Sequence, residues 1–207
     1  MTTLAELQNF CKNKSIIIVG NSSRILQHSS ARLIDSYDIV VRINRGYQIS
    51  NPFSESLGTK TNILSIGIKS EAQATHIISA NKVNFILSPI IWSDKLTYPN
   101  VYNIEPSLYH QLKEDLGGFK PSTGISTFNF FHKLTDYRKL DLIGFDFFET
   151  STLQRNELGH LKVNDHNGKS EERYINTCRS NDKITIYNLS GSPMRSKIGR
   201  ASYRERV

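Results

Sequence analysis

The chain has little cysteine, with Cys11 and Cys178 as its two. Two thiols are too few for a disulfide framework and fit a reducing compartment, where both read as ordinary helix residues. Long apolar runs are also missing. The most hydrophobic stretches, such as Ile16–Val19 and Ile39–Val41, are strand-sized and fall well short of a bilayer span. The opening Thr2–Lys14 is polar and mildly amphipathic, without a signal-peptide pattern, so with Met1 as the true start the expected location is the cytoplasm. No histidine–carboxylate set has metal-ligand spacing, and no metal is expected. A single glycine follows the first strand, which fails the dinucleotide pattern G-x-G-x-x-G, and no Gly-Lys-Ser/Thr forms a Walker loop. A Ser-His-Asp or Cys-His arrangement cannot be inferred, and there is no repeat, low-complexity tract or internal domain boundary.

What remains describes one soluble domain. The 207 residues are enough for a real core, with 38% hydrophobic residues and a mean hydropathy of −0.39. The formal charge of +7 and pI near 9.4 are inflated by Lys197–Val207. That segment is similar to one reading frame of a common sequencing-library adapter, with Tyr203 where the frame usually gives cysteine. Its Lys197, Arg200, Arg204 and Arg206 stand against Glu205, a surplus of three, and without it the charge falls to +4. The alternative is a natural basic tail that touches membrane or nucleic acid. We read a single domain over 1–196 and a non-native tail over 197–207.

Strand and helix signals alternate, which predicts an α/β fold: a mostly parallel, twisted Rossmann-like sheet with helices on both faces. Strands are expected at Ile16–Val19, Tyr37–Ile43, Asn62–Ile66, Asn84–Leu87, Val101–Ile104, Leu140–Phe145 and Ile184–Tyr187. Helices are expected at Ser23–Leu33, near Glu71–Ala80, at Pro106–Leu116 with Gly117-Gly118 as the stop, at Ser122–Leu134, and around Ser170–Cys178. Phe148–Asp165 reads as a polar loop.

Three stretches carry chemistry. A strand that runs into Gly20-Asn21-Ser22-Ser23 and then a helix has phosphate-site geometry, because a helix start offers unpaired N–H groups and a positive dipole end. The same serines also fit a simple N-cap. Asn44 follows the second strand as another buried-looking amide. Pro121-Ser122-Thr123-Gly124 opens the next candidate anion site, and again capping alone would account for the hydroxyls. The third is Asp165-His166-Asn167-Gly168-Lys169-Ser170-Glu171, where a histidine ahead of a helix can take a proton near neutrality. Glu171 or Glu172 either orients that histidine or favours the helix's first turn. His160 lies in the same polar loop.

The order of these pieces resembles the animal-type sialyltransferase family (glycosyltransferase family 29-like), in a non-Golgi, bacterial or viral form. VGNSS…IDSYDIVVRIN is similar to its large sialylmotif. PSTGISTFNFF with Leu142-Ile143-Gly144-Phe145 is similar to the small one, and His166 with Glu171 to the very small one. The motif-linked cysteine pair and the membrane anchor of Golgi members are missing, and Phe147-Phe148-Glu149 or His160 stands where the aromatic third motif belongs. The resemblance implies a GT-A-like sialyltransferase variant of the α/β fold. It also implies an inverting, metal-independent transfer of sialic acid from CMP-sialic acid to a glycan or glycolipid hydroxyl, with no cofactor and no nucleic-acid partner. By the same likeness Asn21, Ser22 and Asn44 contact the nucleotide, Ser122, Thr123 and Gly124 hold the sugar carboxylate, His160 adds a substrate contact, and His166 is the general base. The alternatives are a CMP-Kdo or related acidic-sugar transferase and a non-catalytic nucleotide- or glycan-binding module. Acceptor contacts are expected from Tyr47–Leu57, Ser93–Asn100 and Phe148–Asp165, and peripheral contact with the inner membrane face is compatible with a weakly basic enzyme.

Overall fold

The computed structural model describes residues 2–46, 53–67, 83–89, 100–150, 166–179, 182–187 and 192–193. The helix expected near Glu71–Ala80, His160 and the tail 197–207 lie outside the described residues, as do parts of the expected acceptor loops.

Seven strands form one sheet: β1 (Ser15–Val19), β2 (Ile39–Ile43), β3 (Ile63–Ser65), β4 (Phe85–Ser88), β5 (Val101–Asn103), β6 (Lys139–Ile143) and β7 (Ile184–Ile186). Their order is β5-β4-β3-β2-β1-β6-β7, and every pair is parallel. All seven expected strands are present. Parallel pairing requires crossovers, and these cover both faces of the sheet, so the strands are buried almost throughout.

Side chains alternate between two cores. Ile16, Ile18, Val41 and Leu142 join the larger one, which is closed by α1 (Leu4–Cys11), α4 (Pro106–Asp115), α5 (Thr123–Leu134) and α6 (Gly168–Cys178). Ile17, Val19, Val40 and Ile143 join the smaller one, under a 3-10 turn (Ser23–Gln27), α2 (Ala31–Asp35) and α3 (Ser54–Leu57). On this second face the buried Asp141 is balanced by Lys139 Nζ at 2.7 Å and by the Tyr37 hydroxyl. Burial and the Asp141 hydrogen bond push the Tyr37 hydroxyl pKa far up, so the phenol stays a donor.

Two local expectations change. Ser23–Leu33 is not one helix: the 3-10 turn ends at His28, and α2 starts afresh after Ser30. Thr2–Lys14, polar and mildly amphipathic but not assigned a helix from sequence, contains α1, opened by a Thr3/Glu6 capping box with Thr3 N–H 2.7 Å from the Glu6 carboxylate. The helix at Pro106 begins with proline and stops before Gly117 and Gly118, both at positive φ (75° and 84°), as expected. Both cysteines are helical and free, and burial pushes the Cys11 thiol up to about 12. Among the described residues no helix is long and apolar enough to cross a membrane.

Strand order reverses at β1, whose neighbours are β2 and the much later β6. Open parallel sheets bind ligands beyond the carboxyl ends of the strands at such a switch point. Gly20-Asn21-Ser22-Ser23 leaves β1 there, and Asn44 leaves β2.

Candidate functional site

Where β1 and β6 end, their backbones touch. A Cβ on Gly20 would lie 2.3 Å from the Gly144 carbonyl oxygen, and Gly144 itself sits at φ 76°. The glycine after β1 therefore serves close packing of two strand ends. Ser22 is spoken for locally. Its N–H donates to the Gly144 carbonyl at 3.1 Å, its hydroxyl donates to Asp146 at 2.9 Å, and its oxygen accepts from Arg24 N–H at 3.3 Å as the cap of the 3-10 turn. That short turn does not present the helix start read from the sequence.

Both asparagines lie at the end of β2. Asn21 Nδ2 donates to the Ile43 carbonyl at 3.1 Å, and Asn44 is the next residue. Asn44 takes the left-handed conformation (φ 49°), which asparagine tolerates well. Its Oδ1 accepts from Gly67 N–H at 2.7 Å beyond β3, and its Nδ2 donates to Thr123 Oγ1 at 3.4 Å. Asn44 thus ties β2 and β3 to the first residue of α5.

The α5 start is a true helix end. Ser122 caps it, with Oγ accepting from Ile125 N–H at 3.3 Å. Intrahelical geometry leaves the N–H groups of Thr123 and Gly124 without helix partners. Gly124 allows the turn to lie against Phe145, since a Cβ would stand 2.8 Å from that ring. Thr123 Oγ1, while accepting from Asn44, keeps its own hydrogen to donate. A phosphate or carboxylate placed here would meet N–H donors, a hydroxyl and the positive end of a twelve-residue helix.

Ser122 faces a different partner. Its N–H donates to Glu171 Oε1 at 2.9 Å and its hydroxyl to Oε2 at 2.8 Å, both within the buried core of the site. Glu171 on α6 is 4% exposed. Burial pushes its carboxyl up to about 7, against the pull of the two Ser122 hydrogen bonds. Glu171 therefore hooks α6 onto the α5 cap, and neither orients His166 nor acts only on its own helix.

His166 stands just ahead of α6, which Asn167 caps through Ser170 N–H at 3.0 Å. Its Nδ1 lies 2.9 Å from the Lys120 carbonyl oxygen. A carbonyl can only accept, so Nδ1 carries the hydrogen and Nε2 of the neutral ring holds a free lone pair. The ring stacks on Phe148, with centroids 5.7 Å apart and planes 13° from parallel. This is the arrangement of a base whose tautomer is set by its backbone partner.

The structure thus places Asn21, Asn44, Thr123 and Gly124 at the carboxyl edge, with Ser122 as the adjoining α5 cap held by Glu171, and ties His166 to the segment that enters α5. Ser22 belongs to the adjoining β1–β6 loop contact. Asp146 and Phe148, which touch Ser22 and His166, were not singled out as site residues. Phe148 carries a sequence signal as part of Phe147-Phe148-Glu149, which stands where the aromatic third motif belongs, and Asp146 carries none. Among the described residues no group of three or more His, Cys, Asp or Glu is placed to hold a metal ion.

The family model of glycosyltransferase family 29 (sialyltransferase) matches residues 5–103, which contain β1 to β5 and both asparagines. The curated proteins give no match. A crystal structure of a mammalian sialyltransferase is similar at 19% identity and a TM-score of 0.60, covering 84% of this chain and 69% of that one. A mammalian sialyltransferase in complex with Gal-beta-1-3GalNAc-ortho-nitrophenol is also similar (TM-score 0.60, 19% identity, 88% and 72% covered). The sialyltransferase CstII from Campylobacter jejuni, in complex with the substrate analogue CMP-3FNeuAc, aligns at 17% identity with a TM-score of 0.54, covering 86% and 80%. At these identities the structural likeness speaks for the α/β fold.

Proposed function

We propose, from the premise that the chain is a family-29-like sialyltransferase, that it moves sialic acid from CMP-sialic acid to a glycan hydroxyl with inversion and without a metal ion. The observation that carries this reading is the pairing of an anion-ready α5 start with a base of fixed tautomer. Asn44, Thr123 and the first α5 N–H groups are suited to the phosphate and sugar carboxylate of the donor. His166, anchored by the Lys120 carbonyl, is suited to remove the acceptor hydroxyl proton through Nε2. As the glycosidic bond to phosphate breaks, positive charge grows on the sugar and negative charge on the leaving CMP. Fixed N–H dipoles at α5 would stabilise the leaving group, the task a divalent ion performs in other nucleotide-sugar enzymes. The solved sialyltransferases that hold a CMP-sugar analogue and a disaccharide acceptor support both substrate classes. Two free cysteines, one fully buried, fit a reducing compartment such as the cytoplasm.

The test is steady-state CMP release from CMP-Neu5Ac, with CMP-Kdo as the competing donor, in the presence and absence of EDTA. The expected result is release from CMP-Neu5Ac that EDTA leaves unchanged and an acceptor glycan accelerates. Release from CMP-Kdo alone would reassign the donor. No release from either, with no binding of CMP, would overturn the transferase reading.

A further inference from the structure

One loop touches Ser22, the start of α5, the start of α6 and His166. Directly after β6, Phe145 lies against Gly124 at the start of α5. Asp146 accepts from the Ser22 hydroxyl at 2.9 Å and from Thr150 N–H at 3.1 Å. The Phe147 carbonyl oxygen lies 1.9 Å from where a Cβ on Gly168 would stand, so only glycine fits at the first residue of α6. Phe148 then stacks on His166. Phe147 and Phe148 sit at φ 51° and 68°, a conformation that bulky L residues avoid. Two such residues in succession persist only where the surroundings impose them. Here the Asp146 hydrogen bonds fix one end of the turn and the close fit of Gly168 fixes the other.

We propose that Phe148 is a positioning residue for His166, and that the strained Phe147–Phe148 turn exists to hold its ring against the imidazole. The hydrogen bond from Nδ1 to the Lys120 carbonyl fixes one point of the imidazole but leaves it free to rock about that bond. A ring face 13° from parallel removes this freedom. Nε2 then points in one direction, as a proton transfer within a few tenths of an ångström requires. The claim rests on His166 as the base and adds the residue that aims it. Glu171, which the sequence pairs with His166, is occupied by Ser122 and leaves that task open.

Phe148→Leu keeps an apolar side chain and removes the flat face, whereas Phe148→Tyr keeps the face. The expected result for Phe148→Leu is a fall in kcat of roughly 10- to 100-fold, with the donor KM within about twofold of wild type. Phe148→Tyr should keep kcat within about threefold. NMR of the histidine ring protons supplies a readout that a merely structural role would not move. The His166 signals should lie upfield in wild type and Phe148→Tyr, and lose that ring-current shift in Phe148→Leu. Unchanged kcat and unchanged His166 shifts in Phe148→Leu would overturn the proposal. So would kcat and KM both failing alongside a collapsed thermal midpoint in both variants. If wild-type protein has no turnover, the functional reading fails separately, and the ring shifts still decide the stack: movement keeps it and no movement removes it.

Discussion

Alanine at His166 should lower transfer by roughly 10²- to 10⁴-fold while leaving CMP affinity within about twofold. The size follows from the role. The imidazole Nδ1 is committed to the Lys120 carbonyl, so Nε2 is the ring's free basic atom. No other described histidine has comparable surroundings: His132 packs on Phe128 with its Nδ1 3.0 Å from the Tyr137 hydroxyl, and burial lowers its pKa. Nucleotide affinity should survive because the α5 start and the asparagines hold their conformations through contacts that do not include His166. Steady-state rates with saturating acceptor, set beside a CMP titration, check both halves. A His166→Ala variant with near wild-type kcat would remove the base from the account.

The second large effect belongs to Glu171. Glu171→Ala should destabilise the fold by about 2–4 kcal/mol, because it strands the buried Ser122 N–H and leaves a cavity between α5 and α6. The donor KM should rise with it, since the cap that sets the α5 start loses its anchor. Glu171→Gln keeps a carbonyl for the Ser122 N–H and should lose far less. The carboxyl also predicts a pH dependence of known sign. Its ordinary value is 4.5 and burial raises it to about 7 in the folded chain. Between these values the native state binds more protons than the unfolded one, so this group's contribution falls as pH rises. It is fully present below about 4.5 and lost above about 7, an effect of at most about 3 kcal/mol. Urea denaturation at several pH values should show that decline in wild type and a flatter profile in Glu171→Gln. A profile equally steep in both would place the titration elsewhere.

The strands were legible because parallel pairing writes a strong signature. SIIIV and IVVRI are β-branched on successive residues, and the structure buries them on both faces. The α5 cap was legible too, since a proline, a serine and a glycine in that order mark a helix start. The break between the 3-10 turn and α2 was not, because His28-Ser29-Ser30 contains neither glycine nor proline and the apolar spacing runs straight through it. Helix α1 carried a readable Thr3/Glu6 capping box, and its short length masked it. Partners distant in sequence were the true blind spot. The Ser122 hydroxyl was read as a ligand group, yet it meets a carboxylate 49 residues away. In the same way the Ser22 hydroxyl meets Asp146, 124 residues on, and nothing local to Ser22 announces that contact. Hydroxyl groups near a helix start look alike in sequence whether they hold a substrate or the fold. Among the described hydroxyls of these motifs, Thr123, next to Asn44, keeps a hydrogen to give.

The donor is expected at the ends of β2 and β3 against the start of α5, with His166 serving the acceptor. Calorimetric titration of the substrate analogue CMP-3FNeuAc into wild type, Asn44→Ala and His166→Ala tests this placement. We predict saturable binding to wild type, nearly the same affinity for His166→Ala, and a loss of about tenfold or more for Asn44→Ala, equivalent to about 1.4 kcal/mol. Absence of binding to wild type, or affinity unchanged in Asn44→Ala and lost in His166→Ala, would contradict it.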